Sequence, residues 1–294
     1  MADITISDDM LVGLEDKVVL ITGGSSGIGR ATAQLCLDLG ANVVIGDISP
    51  PKAEFEKTEK LKFLEVNVTD WESLRNMFVQ ANEWFGRIDH VFANAGVAPT
   101  TDFLDVTLNE AGQLEPPNLR TVSVNLLGPI YTVRLASAYM TSLAKERPVG
   151  KGSIVLTAST SSFQNFSSGD YTITKHGVLG MMRGLGRQIE SKNIRLNAVA
   201  PSWTASGIVS PENIKVMGIT VQLPEVVARS VALLLADDKR HGDVIYSWNG
   251  HYREVNNAEG GLLSMAAKLL GNAENEESVM QKLREHKQNE SPSS

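Results

Sequence analysis

A chain of 294 residues, 42% hydrophobic and 21% charged, has the apolar content of a globular protein and excludes a globally disordered one. Its formal net charge of −7 and pI near 5.3 give no basic footprint for nucleic acid or an anionic membrane. One cysteine, Cys36, excludes an intrachain disulfide framework and suits a reducing compartment, where it reads as core filler.

The first 14 residues form a polar leader with neither a basic region nor an apolar run, unlike a secretory signal. No apolar stretch approaches the roughly 18 residues needed to span a bilayer. The expected location is cytoplasmic. From residue 17 onward β and α patterns alternate. Residues 17–22 are a short apolar run, as a buried parallel strand should be. Residues 27–39 have helical periodicity and stop at Gly40. Residues 43–45 and 62–66 read as strands, 71–85 as an amphipathic helix capped by Thr69 or Asp70, and 89–93 as the fourth strand.

A polar insertion at 98–118 precedes a long helix at 119–145. Then come a strand at 152–156, a helix at 171–191, a strand at 195–199, a helix at 224–236 and a strand at 243–248. Strands spaced by helices of this length imply right-handed crossovers. The expected fold is a single doubly wound Rossmann-type domain over residues 15–255, with a parallel sheet of about seven strands flanked by helices. Residues 256–294 read as a C-terminal helical extension, with one apolar-faced helix at 262–270, a charged one at 274–288 and a frayed end.

Gly23, Gly27 and Gly29 follow the first strand and open the first helix, with Ser25, Ser26 and Ile28 among them. Glycine there lets a pyrophosphate approach the backbone and rest on the N–H groups of the helix N-terminus. The spacing is Gly-x-x-x-Gly-x-Gly rather than the commoner Gly-x-Gly-x-x-Gly. Asp47 ends the next strand, 18 positions beyond Gly29, where a carboxylate accepts both adenosine ribose hydroxyls and repels a 2′-phosphate. Ile48 follows it where a base would favour NADP(H), so NAD(H) is favoured. Arg30 and Lys52 are the cations that keep NADP(H) open.

Tyr171 and Lys175 are four residues apart, which on a helix stacks phenol and ammonium one turn apart. A nearby cation favours the phenolate and makes Tyr171 a candidate general base. A dinucleotide turn and a proton-moving pair in one chain point to an alcohol or carbonyl oxidoreductase.

In these motifs and their order, residues 15–250 resemble the short-chain dehydrogenase/reductase family. Asn94, Ala95 and Gly96 resemble its Asn-Ala-Gly segment after the fourth strand, and Asn125 its asparagine on the long central helix. The resemblance implies a catalytic set of Asn125, Ser159, Tyr171 and Lys175. Ser159 lies 12 residues before Tyr171, one fewer than is common, and Ser161 is the alternative. Tyr171 is implied to exchange the proton, Lys175 to lower its pKa and hold the nicotinamide ribose, Ser159 to bond the substrate oxygen, and Asn125 to hold a relay water. Asn67 and Val68 stand where the family has Asp-Val beneath the adenine. Pro201-Ser202 replaces Pro-Gly, and Thr204 and Ser206 match positions that hold the carboxamide and pyrophosphate.

The substrate pocket is expected outside the carboxyl ends of the strands, walled by Val97, Phe163, Gln164, Phe166 and Trp203, with residues 208–223 as a lid. Such walls suit a hydrophobic, ring-bearing secondary alcohol or ketone, and no metal is called for. By analogy the long helices form a homodimer or homotetramer interface. The competing readings are an NADPH-dependent ketoreductase of the same fold and a non-catalytic nucleotide-binding regulatory protein.

Overall fold

The computed structural model describes residues 2–51, 55, 58–99, 103–146, 148, 151–207, 218–271, 279–283 and 286. In chain order the strands are β1 (Ala2–Ile4), β2 (Val18–Thr22), β3 (Asn42–Asp47), β4 (Leu61–Glu65), β5 (His90–Ala93), β6 (Gly152–Thr157), β7 (Ile194–Pro201), β8 (Val244–Trp248) and β9 (His251–Glu254). The helices are α1 (Gly27–Asp38), α2 (Trp71–Phe85), α3 (Arg120–Val122), α4 (Gly128–Tyr139), α5 (Gly169–Glu190), α6 (Pro224–Ala236) and α7 (Leu262–Leu270). None of the helices among the described residues is long and apolar enough to cross a membrane.

Local chemistry sets the boundaries. Asp70 caps α2 by accepting from the Ser73 N–H at 2.8 Å, and Gly86 ends it in the left-handed region at φ +77°. Pro224 opens α6 at the position where a missing N–H does no harm. The helix expected at 119–145 is observed as α3, a π-helical turn over Ser123–Leu127, and α4, ending at Tyr139. Pro129 explains the interruption, because it has no N–H to give to the Asn125 carbonyl four residues back.

The sheet order is β1-β9-β8-β7-β6-β5-β2-β3-β4. The seven strands from β8 to β4 are parallel, as expected. The hairpin strand β9 and then β1 add two antiparallel strands at one edge, so the sheet has nine strands rather than about seven. The leader supplies β1, and Leu11 and Leu14 behind it are buried. One core lies under α2, α4 and α5 (Leu74, Phe78, Val133, Val178), and the other under α1 and α6 (Ala33, Cys36, Val231, Leu234). Cys36 is fully buried there, and burial pushes its thiol up to about 12, so the thiolate is suppressed. In the extension α7 buries no residue. The second helix expected there falls mostly outside the described residues.

At the amino end of the sheet His90 is buried, and its Nδ1 has no partner. Burial holds the imidazole well below its ordinary value, Asp89 opposes this, and Arg195 and Lys17 add to it. A depressed histidine contributes stability in full above its unfolded pKa of about 6.5, and that stability is lost as the pH falls below it. Thermal or urea unfolding of the wild type is expected to show a loss of about 2 kcal/mol from this group between pH 7 and pH 5. In His90→Leu that share of the acid sensitivity should disappear. An unchanged pH slope in the variant would assign the acid sensitivity elsewhere.

Candidate active site

Neighbours β3 and β5 lie on opposite sides of β2, so the strand order reverses there and a crevice opens at the carboxyl ends of β2 and β5. The glycine turn fills it. Gly23 and Gly27 have φ of +68° and +50°, which L side chains rarely adopt. A Cβ on Gly23 would lie 2.7 Å from the Ala95 Cα, and one on Gly29 2.0 Å from the Gly23 carbonyl oxygen. The Asn94 amide props the turn by donating to the Thr22 and Gly23 carbonyls at 3.2 and 3.0 Å, while the Thr22 hydroxyl accepts from the Asn94 and Ala95 N–H groups. Gly96, half-buried, follows Ala95 on the same segment.

α1 begins with no side-chain cap, since the Ser26 hydroxyl does not bond its first turn. The N–H groups of Gly27, Ile28 and Gly29 therefore have no intrahelical partner. A cavity of about 350 Å³ lies beside them, with Arg30, Ala205, Ser206 and Gly207 in its lining. These residues fit a dinucleotide pyrophosphate, an anion matched to the positive end of a helix. Asp47 stands at the end of β3 and accepts from the Ser25 N–H at 3.1 Å, with Ile48 exposed beside it. The Arg30 guanidinium lies over the Phe55 ring, 5.0 Å from its centroid. Lys52 lies outside the described residues. Asn67 turns its amide oxygen onto the Thr69 N–H at 3.0 Å, and Val68 is buried against the helix at Gly128.

Across the crevice Tyr171 and Lys175 occupy adjacent turns of α5. The Ser159 side chain lies beside the Tyr171 hydroxyl and favours its phenolate form. Ser159 follows β6 and its Oγ accepts from the Ser161 N–H at 3.2 Å, so of the two candidate serines Ser159 faces the phenol. Lys175 is buried, donates to the Thr157 carbonyl at 2.7 Å and lies 5.5 Å from the Tyr171 ring centroid. Burial draws its ammonium down to about 8. Burial also raises the phenol, with Ser159 pulling the other way. In the protein alone desolvation therefore governs the phenol, rather than the lysine.

Asn125 is buried in the π-helical turn. Its Nδ2 donates to the Val97 carbonyl and its Oδ1 accepts from the Val97 N–H, both at 2.8 Å. The side chain thus pins the crevice wall, while Pro129 leaves its backbone carbonyl without the ordinary helical donor.

Phe166 and Trp203 meet edge to face with centroids 5.8 Å apart. Phe163 packs on the core instead, and Gln164 is exposed. Pro201 ends β7, and Thr204 and Ser206 follow it toward the glycine turn, where a Cβ on Gly27 would lie 3.0 Å from the Ser206 Cβ. Residues 208–217 of the expected lid lie outside the described residues.

Two contributors escaped the sequence reading. Thr157 holds Lys175 through its carbonyl and meets the Asn94 amide oxygen through its hydroxyl at 3.4 Å, which joins the catalytic pair to the glycine turn. Its place at the end of the fifth strand was visible, but a backbone carbonyl leaves no signature in residue type. The other is Gln222, read only as part of the lid at 208–223 and found buried, with its amide on the Thr204 hydroxyl.

A family model described as short chain dehydrogenase matches residues 17–216. The short-chain dehydrogenase/reductase ascJ of Acremonium egyptiacum is 45% identical over 277 residues, covering 94% of this chain and 92% of that protein. (+)-Borneol dehydrogenase 1 of Salvia officinalis is 32% identical over 206 residues, covering 68% of this chain and 74% of its own. Among solved structures, the ligand-free aldohexose dehydrogenase of Thermoplasma acidophilum aligns with a TM-score of 0.67 at 25% identity, covering 81% of this chain and 94% of that one. Levodione reductase aligns with a TM-score of 0.65 at 27% identity, covering 80% and 97%.

Proposed function

The chain belongs to the short-chain dehydrogenase/reductase family of NAD(P)(H)-binding oxidoreductases acting on CH–OH groups, and from that premise we propose that it interconverts a secondary alcohol and a ketone on a hydrophobic, ring-bearing small molecule, with NAD(H) as its redox partner. The observation that carries this reading is Tyr171 with Ser159 beside its hydroxyl and the buried Lys175 one turn away on the same helix. The relative from Salvia officinalis is named for borneol, a cyclic alcohol, and levodione reductase for a cyclic ketone, in line with the aromatic pair Phe166 and Trp203 beside the crevice.

In oxidation Tyr171 takes the hydroxyl proton of the alcohol at its phenolic oxygen, and in reduction it returns one to the carbonyl oxygen. Ser159 donates to that same substrate oxygen and stabilises the charge that develops on it. Lys175 is the charge that brings the phenol toward neutral pH, a shift that needs its ammonium to move from the Thr157 carbonyl toward the ribose side. Asn125 holds Val97 with its side chain, which leaves a relay water to its backbone carbonyl. When bound, the nicotinamide cofactor supplies the hydride acceptor for oxidation and the donor for reduction. Gly23 to Gly29 would hold its pyrophosphate, Asp47 and Ile48 its adenosine ribose, Asn67 and Val68 its adenine, and Thr204 and Ser206 its nicotinamide end. The family likeness also supports a homodimer or homotetramer built on α4 and α5, where Ile130 and Ile173 are exposed.

The preference for NAD(H) rests on Asp47 facing the turn while Arg30 stacks on Phe55. Fluorescence titration is expected to give tighter binding of NADH than of NADPH. Asp47→Ala should weaken NADH by about tenfold, the loss of a charge-assisted hydrogen bond, and narrow the gap to NADPH. Tighter NADPH binding by the wild type would overturn the preference and favour the ketoreductase reading. Incubation with NAD⁺ and a panel of cyclic secondary alcohols then tests the substrate class by the appearance of NADH.

A further inference from the structure

We propose that Gln222 is a positioning residue that fixes Thr204 at the nicotinamide end of the cofactor cleft, so that the Thr204 N–H and C=O are presented together as a donor–acceptor pair complementary to a primary carboxamide. The proposal rests on the reading of this cleft as a nicotinamide site.

The backbone does half of this. Gln222 and Thr204 form an isolated parallel bridge, in which the Gln222 N–H donates to the Trp203 carbonyl and the Gln222 carbonyl accepts from the Ala205 N–H, both at 2.9 Å. A residue bracketed in this way turns its own N–H and C=O away from the partner strand. The Thr204 peptide groups therefore form an open edge on the other side.

The side chain does the rest. Gln222 is only 3% exposed, and its amide is satisfied on both ends. Its Oε1 accepts from the Asn249 N–H at 3.0 Å, and because a backbone N–H can only donate, that contact fixes which end of the amide is oxygen. The Nε2 then donates to the Thr204 hydroxyl at 3.0 Å, with its other hydrogen shared between the Ser247 carbonyl at 3.1 Å and hydroxyl at 3.2 Å. The Thr204 hydroxyl in turn donates to the Ser202 carbonyl at 2.8 Å. One buried amide thus ties the segment after β7 to the turn between β8 and β9. With Ser202 standing where the family has glycine, the segment does not depend on local backbone geometry alone. Without the amide, the Thr204 hydroxyl would keep only its bond to the Ser202 carbonyl, and the buried Ser247 hydroxyl and the Asn249 N–H would lose this partner, so the edge would shift to satisfy them.

The test is calorimetric titration of the full chain with NADH and with the reduced analogue whose carboxamide is replaced by an acetyl group, which keeps the carbonyl acceptor and lacks the N–H donors. Wild type is expected to bind NADH about tenfold more tightly than the analogue, the discrimination of one well-placed hydrogen bond. In Gln222→Met this ratio should fall toward one, mainly through weaker NADH binding. Gln222→Glu keeps the chain length and the acceptor for Asn249 but loses the amide donors, and it should lower the ratio in the same direction. It decides the matter if the Met variant does not melt cooperatively. A wild-type ratio in a folded Gln222→Met or Gln222→Glu protein would overturn the role of Gln222 and leave the nicotinamide site standing. A wild type that binds both dinucleotides without discriminating between them would show that the carboxamide does not meet the Thr204 edge, which sinks the proposal. Failure to bind either dinucleotide would sink the reading of the cleft with it.

Discussion

Replacing Tyr171 by Phe is expected to lower turnover by about 10³-fold, within the range for removing a positioned acid–base group, while NADH affinity stays within about threefold of wild type. The variant removes one oxygen and keeps the ring that Lys175 lies against, so the local packing is preserved. Its pH profile is the sharper readout. The wild-type phenol is raised by burial, and the protein must ionise it for alcohol oxidation, so the oxidation rate should climb from neutral toward alkaline pH. Whatever rate remains in Tyr171→Phe should lose that climb. Steady-state rates of alcohol oxidation across pH, with NADH titrations alongside, check both parts. A variant that keeps the wild-type rate would remove Tyr171 from the chemistry, and one that no longer binds NADH would make its role structural.

The same pair shows where the residues told the story and where they did not. Tyr171 and Lys175 were legible because one helical turn fixes their relation, and Asp47 because a strand must end before its loop begins. The seven parallel strands were legible for the same local reason, each being a short apolar run closed by a turn residue. β1 was not, because three residues of a polar leader become a strand only by pairing with β9 some 250 positions away, where Asp3 meets Arg253 at 2.6 Å. The π-helical turn had a visible cause in Pro129, yet periodicity smooths over a single displaced hydrogen bond. The state of the phenol was legible only in part. Spacing reveals a neighbouring cation and is silent about burial, and in the structure the lysine faces the Thr157 carbonyl while desolvation acts on both partners. The role of Gln222 within the expected lid segment lay beyond reach, since its four contacts come from two distant segments brought to it only by the folded chain.

The second large effect belongs to the glycine turn, where Gly29→Ala should be more damaging than Gly27→Ala although both add the same methyl group. At Gly29 the new carbon would sit 2.0 Å from the Gly23 carbonyl oxygen and 2.6 Å from the Asn94 amide nitrogen. The first of these is backbone, and the second holds the turn in place through the Thr22 and Gly23 carbonyls. Neither can yield without moving α1 off β2, so a loss of about 3 kcal/mol is expected, the upper end of overpacking in a well-packed core. At Gly27 the obstacle is the Ser206 Cβ at 3.0 Å together with a φ of +50°. That φ is strained for alanine by about 1 kcal/mol, but the neighbour belongs to a loop segment that can give. Both variants should weaken NADH binding, Gly29→Ala beyond detection and Gly27→Ala by about tenfold, since each disturbs the N–H groups at the start of α1. Thermal unfolding and NADH titration of the two proteins side by side check the order. If the two lost equal stability, the close packing of α1 on the turn would not be what Gly29 protects. If both bound NADH as wild type does, the pyrophosphate would rest elsewhere.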